Sequence, residues 1–166
     1  MKLIIKIAAV ASMCAFLLTG CTGKSSDSGE KNETKPKKDV NVTEIMEEIN
    51  SSVELPEMTV ISTDEYLETL YGISPDDVKQ YAIEVNSNGV NQDEIIIIEA
   101  SSGEAMGRLE ETLNSLLEYK AAQMKDYLPE EYDMIMKCSV KKNGDFIYMV
   151  VSYEKDKIEK IIEKNF

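Results

Sequence analysis

The sequence predicts a two-layer α+β domain over residues 39–166, in which a four-stranded antiparallel sheet carries helices packed mainly on one face. Three observations support this fold class. Short apolar or alternating segments occur in two pairs, and turn-forming residues separate the members of each pair. One long segment between the pairs repeats apolar residues at helical spacing. Shorter helical patterns stand before the first pair and after the second, which gives the order α-α-β-β-α-β-β-α.

Two helices and one helical turn are predicted before the first strand. The first helix begins at residues 41–44, which form a capping arrangement, and ends near Ser51. The second begins at residues 62–65 and is ended by Gly72. Residues 74–77 predict a single turn, since they place a proline at the first helical position. The apolar face of the second helix is expected to consist of Tyr66, Leu67 and Leu70.

Four strands are predicted in two hairpins. The first hairpin joins residues 79–87 to residues 93–100 through a turn-rich loop. Residues 95–98 are four isoleucines, so both faces of this strand are apolar and we expect it to be a central strand covered at least partly on both sides. After residues 127–129 a turn of helix is predicted. The second hairpin then joins residues 134–142 to residues 145–153 through Asn-Gly, the most favoured two-residue turn.

The longest helix is predicted between the hairpins, over residues 103–125. Ser101 opens it, with Glu104 three residues later. We expect its apolar stripe to pack in the core, although a methionine-rich stripe can also form an adaptable binding groove. The stripe consists of Met106, Leu109, Leu113, Leu116, Leu117 and Met124. A final helix begins at Lys155, and its inward-facing residues are Ile158, Ile161 and Ile162.

Residues 1–20 have the three zones of a secretory signal peptide. Lys2 and Lys6 supply positive charge, residues 7–18 are apolar, and small residues follow. The apolar stretch is shorter than the roughly 20 residues that a membrane-spanning helix needs. A removable signal peptide is therefore favoured over the alternative, a permanent anchor helix.

Residues 18–21, Leu-Thr-Gly-Cys, resemble the lipobox of bacterial lipoproteins. The resemblance implies cleavage between Gly20 and Cys21 and transfer of a diacylglyceryl group to the Cys21 thiol. Two or three acyl chains anchor a protein stably, whereas one chain is marginal. Residues 21–38 are polar and lack a hydrophobic cluster, so we expect a flexible tether there. The chain is thus expected on the outer side of the cell membrane, held to it through Cys21.

The charge of the chain argues against nucleic acid as a partner. The formal net charge is −13 at pH 7, and residues 1–38 are basic, so residues 39–166 carry about −17. Arg108 is the single arginine, and no basic patch is evident. Binding to nucleic acid begins with the neutralisation of phosphates, which such a surface cannot provide.

The sequence offers little catalytic chemistry. It contains no histidine, which removes the commonest general base and most zinc sites. Paired carboxylates occur at residues 76–77, 110–111 and 130–131, in strongly solvated contexts. Residues 84–89 weakly resemble the start of a calcium-binding loop, but Ile95 occupies the twelfth position, where such a loop needs a glutamate. Cys138 lies in an alternating segment, where we expect a buried thiol. We therefore expect no enzyme activity, metal or cofactor.

A binding role remains the best prediction. Tyr71, Tyr127 and Tyr132 fall near the ends of predicted elements, where a binding surface could gather them, although packing at the edge of the core also explains them. The first hypothesis is a non-catalytic module that binds a protein or cell-envelope partner through the sheet face or through the loops around these tyrosines. The second is a small-ligand or cation-binding lipoprotein, such as an envelope sensor or a carrier component. A carboxylate-dependent hydrolase is a third, weaker alternative.

Several segments together resemble a family of bacterial lipoproteins known as domain of unknown function 4358. They are residues 67–73, 93–100, 127–130 and 143–147. The similarity covers most of residues 40–165. It implies an extracytoplasmic location and a shared fold, and it supplies no catalytic residues.

Overall fold

The computed structural model describes residues 39–166, so the predicted signal peptide, the predicted lipidation site at Cys21 and the predicted tether lie outside the described residues. The helices are α1 (Val42–Ser52), α2 (Asp64–Tyr71), α3 (Gly103–Met124), α4 (Pro129–Ile135) and α5 (Lys155–Asn165), with one 3₁₀ turn at Pro75–Asp77. The strands are β1 (Met58–Ile61), β2 (Val78–Asn86), β3 (Glu94–Ala100), β4 (Val140–Asn143) and β5 (Phe146–Val151). No helix in this part of the chain is long and apolar enough to cross a membrane.

The strands form one antiparallel sheet in the order β1-β2-β3-β5-β4. The predicted α+β class and antiparallel sheet are confirmed. The prediction of four strands is wrong, because β1 adds a fifth strand between α1 and α2. The predicted element order is wrong for the same reason. β1 is only four residues long, and three of them, Met58, Val60 and Ile61, are apolar, so the segment is too short to show the alternation that marks a strand in sequence. The single turn of helix expected before the second hairpin is a helix of seven residues, α4.

Helices cover both faces of the sheet, so the domain has three layers and the predicted packing on mainly one face is wrong. Helices α2, α3 and α4 pack on one face, over Ile96 and Ile98 of β3. Helices α1 and α5 pack on the other, over Ile95 and Ile97. Successive side chains of a strand point to opposite faces, so a strand of continuous isoleucine requires an apolar cover on each side. The prediction that β3 is covered on both sides is confirmed.

The helix ends follow ordinary capping chemistry. The Asn41 side chain accepts hydrogen bonds from the first turn of α1, and Thr63 caps α2 in the same way. Ser102, and not the predicted Ser101, caps α3. Gly72 ends α2 with φ +65°, a conformation that glycine adopts without strain.

Helix α2 buries less of its surface than its sequence predicts. Leu67 is fully buried, but the side chains of Tyr66 and Leu70 are 52% and 61% exposed. The predicted apolar face of this helix is therefore wrong at two of three positions. A helix of eight residues reaches the core with one turn, and its other apolar side chains remain at the surface.

The second hairpin is shorter than predicted. Helix α4 continues through Ile135, so the strand expected from residue 134 begins only at Val140. Cys138 lies in the connection, half-buried, and its thiol donates to the carbonyl of Met134. Burial raises the pKa of this thiol, which keeps it protonated at neutral pH. The turn uses residues 144–145 and not 143–144, since β4 pairs with β5 through Asn143.

Candidate functional site

The shortness of β1 leaves part of its neighbour β2 without a partner strand. The β1 ladder runs only to Ile61, which pairs with Ile83. Strand β2 begins five residues earlier, at Val78, and pairs with β3 along its length. After Ile61 the chain turns away into α2. Residues 78–82 therefore form a free edge of the sheet, with no strand beside them among the described residues.

The backbone of Tyr81 faces this free edge. Asn86 donates its backbone N–H to Asp93, in the direction of β3, at 2.8 Å. In an antiparallel strand, successive residues direct their N–H and C=O groups to opposite sides. The pairing between β2 and β3 is regular from Tyr81 to Val85, so the groups of Tyr81 point away from β3. Tyr81 thus presents a donor and an acceptor where β1 has ended.

A groove of about 720 Å³ surrounds the free edge. One wall comes from α1 and includes Met46 and Glu47, and the other comes from the start of α2 and includes Asp64 and Leu67. The floor is residues 78–84 of β2. Because the groove wraps around the rim of the sheet, it meets both faces of β2. We call it the edge groove.

The edge groove is apolar at its centre and acidic at its rim. Val60 lines it and is 61% exposed. Glu47 and Asp64 are exposed on its opposite walls. Among the described residues that line it, Lys79 alone carries a positive charge, and its amine lies 3.2 Å from the Glu99 carboxylate. The net charge of the lining is therefore negative.

Hydrogen bonds fix the α1 wall to the floor. The Gln80 side chain accepts from the N–H of Val42 at 3.0 Å and donates to the carbonyl of Val40 at 2.8 Å. Further along, the Asn50 amide donates to the buried carboxylate of Glu84 at 2.8 Å. These contacts tie both ends of α1 to β2, so the groove is preformed.

A family model described as "Domain of unknown function (DUF4358)" matches residues 51–152. The chain belongs to the DUF4358 family. This confirms the family that the sequence resemblance predicted. No curated protein and no solved structure matches the chain. The DUF4358 match covers β1 and all of β2, so it includes the free edge, and it leaves out most of the α1 wall. The family description names no catalytic activity.

Tyr71, the first of the predicted binding tyrosines, takes part in a buried polar cluster of the DUF4358 domain. Its hydroxyl donates to Glu94 Oε1 at 2.8 Å, and Lys120 Nζ lies 3.0 Å from Glu94 Oε2. This second contact is an ion pair without hydrogen-bond alignment, since Oε2 is buried and accepts no hydrogen bond from the described residues. Burial raises the pKa of Tyr71, and the Glu94 carboxylate raises it further. The Tyr71 side chain therefore makes a structural contact beside the core of the domain.

The other two predicted tyrosines lie elsewhere. Tyr127 is 72% exposed in the connection between α3 and α4, and Tyr132 packs from α4 against the edge of the core. Neither lines the edge groove. Tyr81, which does line it, was not predicted as a site residue. The strand periodicity places Tyr81 on β2, but only the end of β1 makes its backbone accessible.

One carboxylate of each predicted pair takes part in a structural contact. Arg108 donates two hydrogen bonds to Asp77, at 2.8 and 2.6 Å, and this lowers the pKa of Asp77. Lys142 contacts Glu110 at 2.6 Å. Glu131 accepts a backbone hydrogen bond from the loop after β2 at 2.9 Å. Within the described residues, no group of acidic or cysteine side chains has the arrangement of a metal site.

Proposed function

We propose that this chain is a membrane-anchored extracytoplasmic lipoprotein whose domain is a non-catalytic module that binds a protein or cell-envelope partner. The edge groove is the observation that carries the binding role. It is preformed, it combines an apolar centre with unpaired backbone groups, and its lining contains no catalytic constellation.

Because helices cover both faces of the sheet, the proposed binding surface is not the open sheet face that the sequence predicted. Helices pack over both faces of β3 and β5, so the open sheet face expected for the partner is filled by the protein's own helices. What remains accessible is the rim. Edges of sheets are established sites for peptide recognition, since the backbone supplies affinity and the flanking pockets supply specificity.

The anchoring part of the proposal rests on the leader and on residues 18–21. Its test is mass spectrometry of the native protein together with protease treatment of intact cells whose wall has been removed. We expect a diacylglyceryl group on Cys21 and digestion of the domain from outside. The Cys21→Ser variant should remain unmodified and leave the membrane. An unmodified Cys21 in the native chain would contradict the anchor.

The binding part is tested by crosslinking in intact cells. A photoreactive amino acid at Val60, which lies exposed in the edge groove, should give a discrete crosslinked species. The same amino acid at exposed Tyr127, far from the groove lining, provides the control. Equal crosslinking from both positions would argue against the groove as the binding site.

One observation favours a small-ligand role as the second candidate. The volume of the edge groove, about 720 Å³, falls in the range of about 300–1,000 Å³ typical of small-molecule sites. Thermal unfolding with panels of sugars and with calcium separates the candidates, and no shift across these panels would remove the small-ligand role. A ligand at 100 times its dissociation constant adds about 2.7 kcal/mol to the stability of a single site.

A further inference from the structure

We propose that the edge groove takes an extended peptide segment, rich in basic and apolar residues, which adds to the free edge of β2 as a further strand. This rests on the proposed function and names the partner of the same site. The partner would be an extracytoplasmic protein that exposes such a segment.

The backbone geometry fits an added strand. The free edge spans residues 78–82, and the β1 ladder ends directly beside it at Ile61. At about 3.3 Å per residue, five residues offer a pairing length of roughly 16 Å, close to an ordinary strand. The N–H and C=O of Tyr81 lie within this length, one residue before its end at Ala82. An incoming strand would continue the ladder that β1 leaves short.

The two walls fit the alternation of side chains along a strand. Val60 and Ala82 stand on the α1 side of the groove and Tyr81 stands on the α2 side, and all three keep exposed surface. Met46 and Leu67 lie buried behind them. An added strand directs every second side chain to each wall, so apolar side chains would meet apolar surface on either side. Space for these side chains exists because the groove wraps around the rim.

Charge selects the kind of peptide. Glu47 and Asp64 are exposed on opposite walls, and residues 39–166 carry about −17 in total. Such a field attracts basic segments and repels acidic ones. It also disfavours a second copy of this domain as the occupant, because two strongly acidic domains repel each other.

The two rims of the sheet differ in their protection. Proteins commonly guard exposed edges with short strands and lysines. Strand β4 follows this pattern, since it has four residues and carries Lys141 and Lys142. The free edge of β2 carries only Lys79, whose amine Glu99 holds. The β2 edge is therefore open to pairing in a way that the β4 edge is not.

The first test uses synthetic peptides and the full wild-type chain in detergent. The probe is a short valine–lysine peptide in which pairs of valines alternate with pairs of lysines, so that each face of the extended strand carries both residue types. Binding is measured by calorimetry or fluorescence anisotropy. N-methylation of alternate amides in the two possible registers removes the donors on one side of the peptide without changing its charge. We expect one methylated register to bind about tenfold more weakly, because it loses its backbone hydrogen bonds to β2. A control peptide that has glutamate in place of each lysine should also bind at least about tenfold more weakly than the parent peptide. Equal binding of both methylated registers and the parent, or no binding of the parent, overturns the proposal.

The second test uses a matched pair of variants. Tyr81→Pro removes the N–H that faces the free edge, and it leaves the pairing with β3 because that N–H points away from β3. Tyr81→Ala removes the same side chain and keeps the N–H. We expect Tyr81→Pro to bind the valine–lysine peptide about tenfold more weakly than Tyr81→Ala. Equal affinities overturn the proposal, and if circular dichroism shows that Tyr81→Pro is unfolded, the methylated peptides decide.

The outcomes separate this inference from the proposed function. An anchored chain that crosslinks to a partner from Val60, yet shows no register dependence with the methylated peptides, overturns strand addition and keeps the binding module. A cytosolic chain with an unmodified Cys21 overturns the proposed function, whatever the peptides do.

Discussion

The buried ion pair between Lys120 and Glu94 permits a sharp test of what holds the domain together. Glu94 is 2% exposed, and the Lys120 side chain is 12% exposed. The Lys120→Met variant keeps most of the side-chain volume and removes the charge. It leaves a carboxylate in the core, with the Tyr71 hydroxyl as its remaining side-chain donor.

The expected cost is large because the environment is dry. Removing one partner of a buried ion pair typically costs about 3–5 kcal/mol, since the other charge stays buried without compensation. Domains of this kind are stable by about 5–15 kcal/mol in total. With an unfolding entropy of about 2.1 cal/mol/K per residue, such a loss lowers the Tm of the 128 described residues by roughly 10–20 °C.

The assay is urea denaturation followed by circular dichroism, with two controls. Lys125→Met makes the same change at an exposed position at the end of α3, and it should change the free energy of unfolding by less than about 0.5 kcal/mol. The double variant Lys120→Met with Glu94→Gln removes both charges and should recover about 2 kcal/mol or more relative to Lys120→Met alone. A loss below about 1 kcal/mol in Lys120→Met, or a double variant no better than it, would refute the assignment of a desolvated pair.

Three further predictions concern glycine, pH and the free thiol. Gly107→Ala within α3 should stabilise the fold by about 0.5–1 kcal/mol, whereas Gly144→Ala, at φ +58°, should destabilise it by about 1–2 kcal/mol; urea melts measure both. Arg108 lowers the pKa of Asp77, so the Arg108–Asp77 contact stabilises the fold fully above pH 3.8, the ordinary carboxyl pKa, and this stabilisation is lost as the pH falls through the lowered pKa of Asp77. In an acid titration, the free energy of unfolding of Asp77→Asn should therefore fall less steeply in this pH range than that of the wild-type chain. Cys138 should react with a maleimide at pH 7 far more slowly in the native chain than in urea, and equal rates would contradict burial of the thiol.

The sequence predicts best those elements that have a long apolar pattern, because the pattern itself shows which faces must be buried. The isoleucines of β3 require two apolar covers, and the long periodic stripe of α3 requires one. Both elements lie within about one residue of their predicted positions. The family resemblance was carried by residues 67–73, 93–100, 127–130 and 143–147, and all of them fall within the matched residues 51–152.

The errors arise where tertiary contacts decide. Alternation in residues 136–140 imitates a strand, but Met136 donates its N–H to the carbonyl of Tyr132 and so extends the helical turn of α4. Strand β1 has too few residues to be recognised alone and exists because it pairs with β2. The sheet face on which α1 and α5 pack cannot be predicted from their sequences either. An amphipathic pattern shows which side of a helix is apolar, but it does not show which surface will cover that side.

The edge groove depends on these tertiary features, which is why sequence reasoning sought the binding surface among tyrosines and loops. Covering both faces of the sheet leaves only its rims for backbone recognition. The β4 rim is short and carries two lysines, while β1 stops at Ile61 and uncovers the longer β2. Gln80 then binds Val40 and Val42, which fixes the start of α1 beside the uncovered edge. The chain enters the domain at this point, directly after the predicted tether.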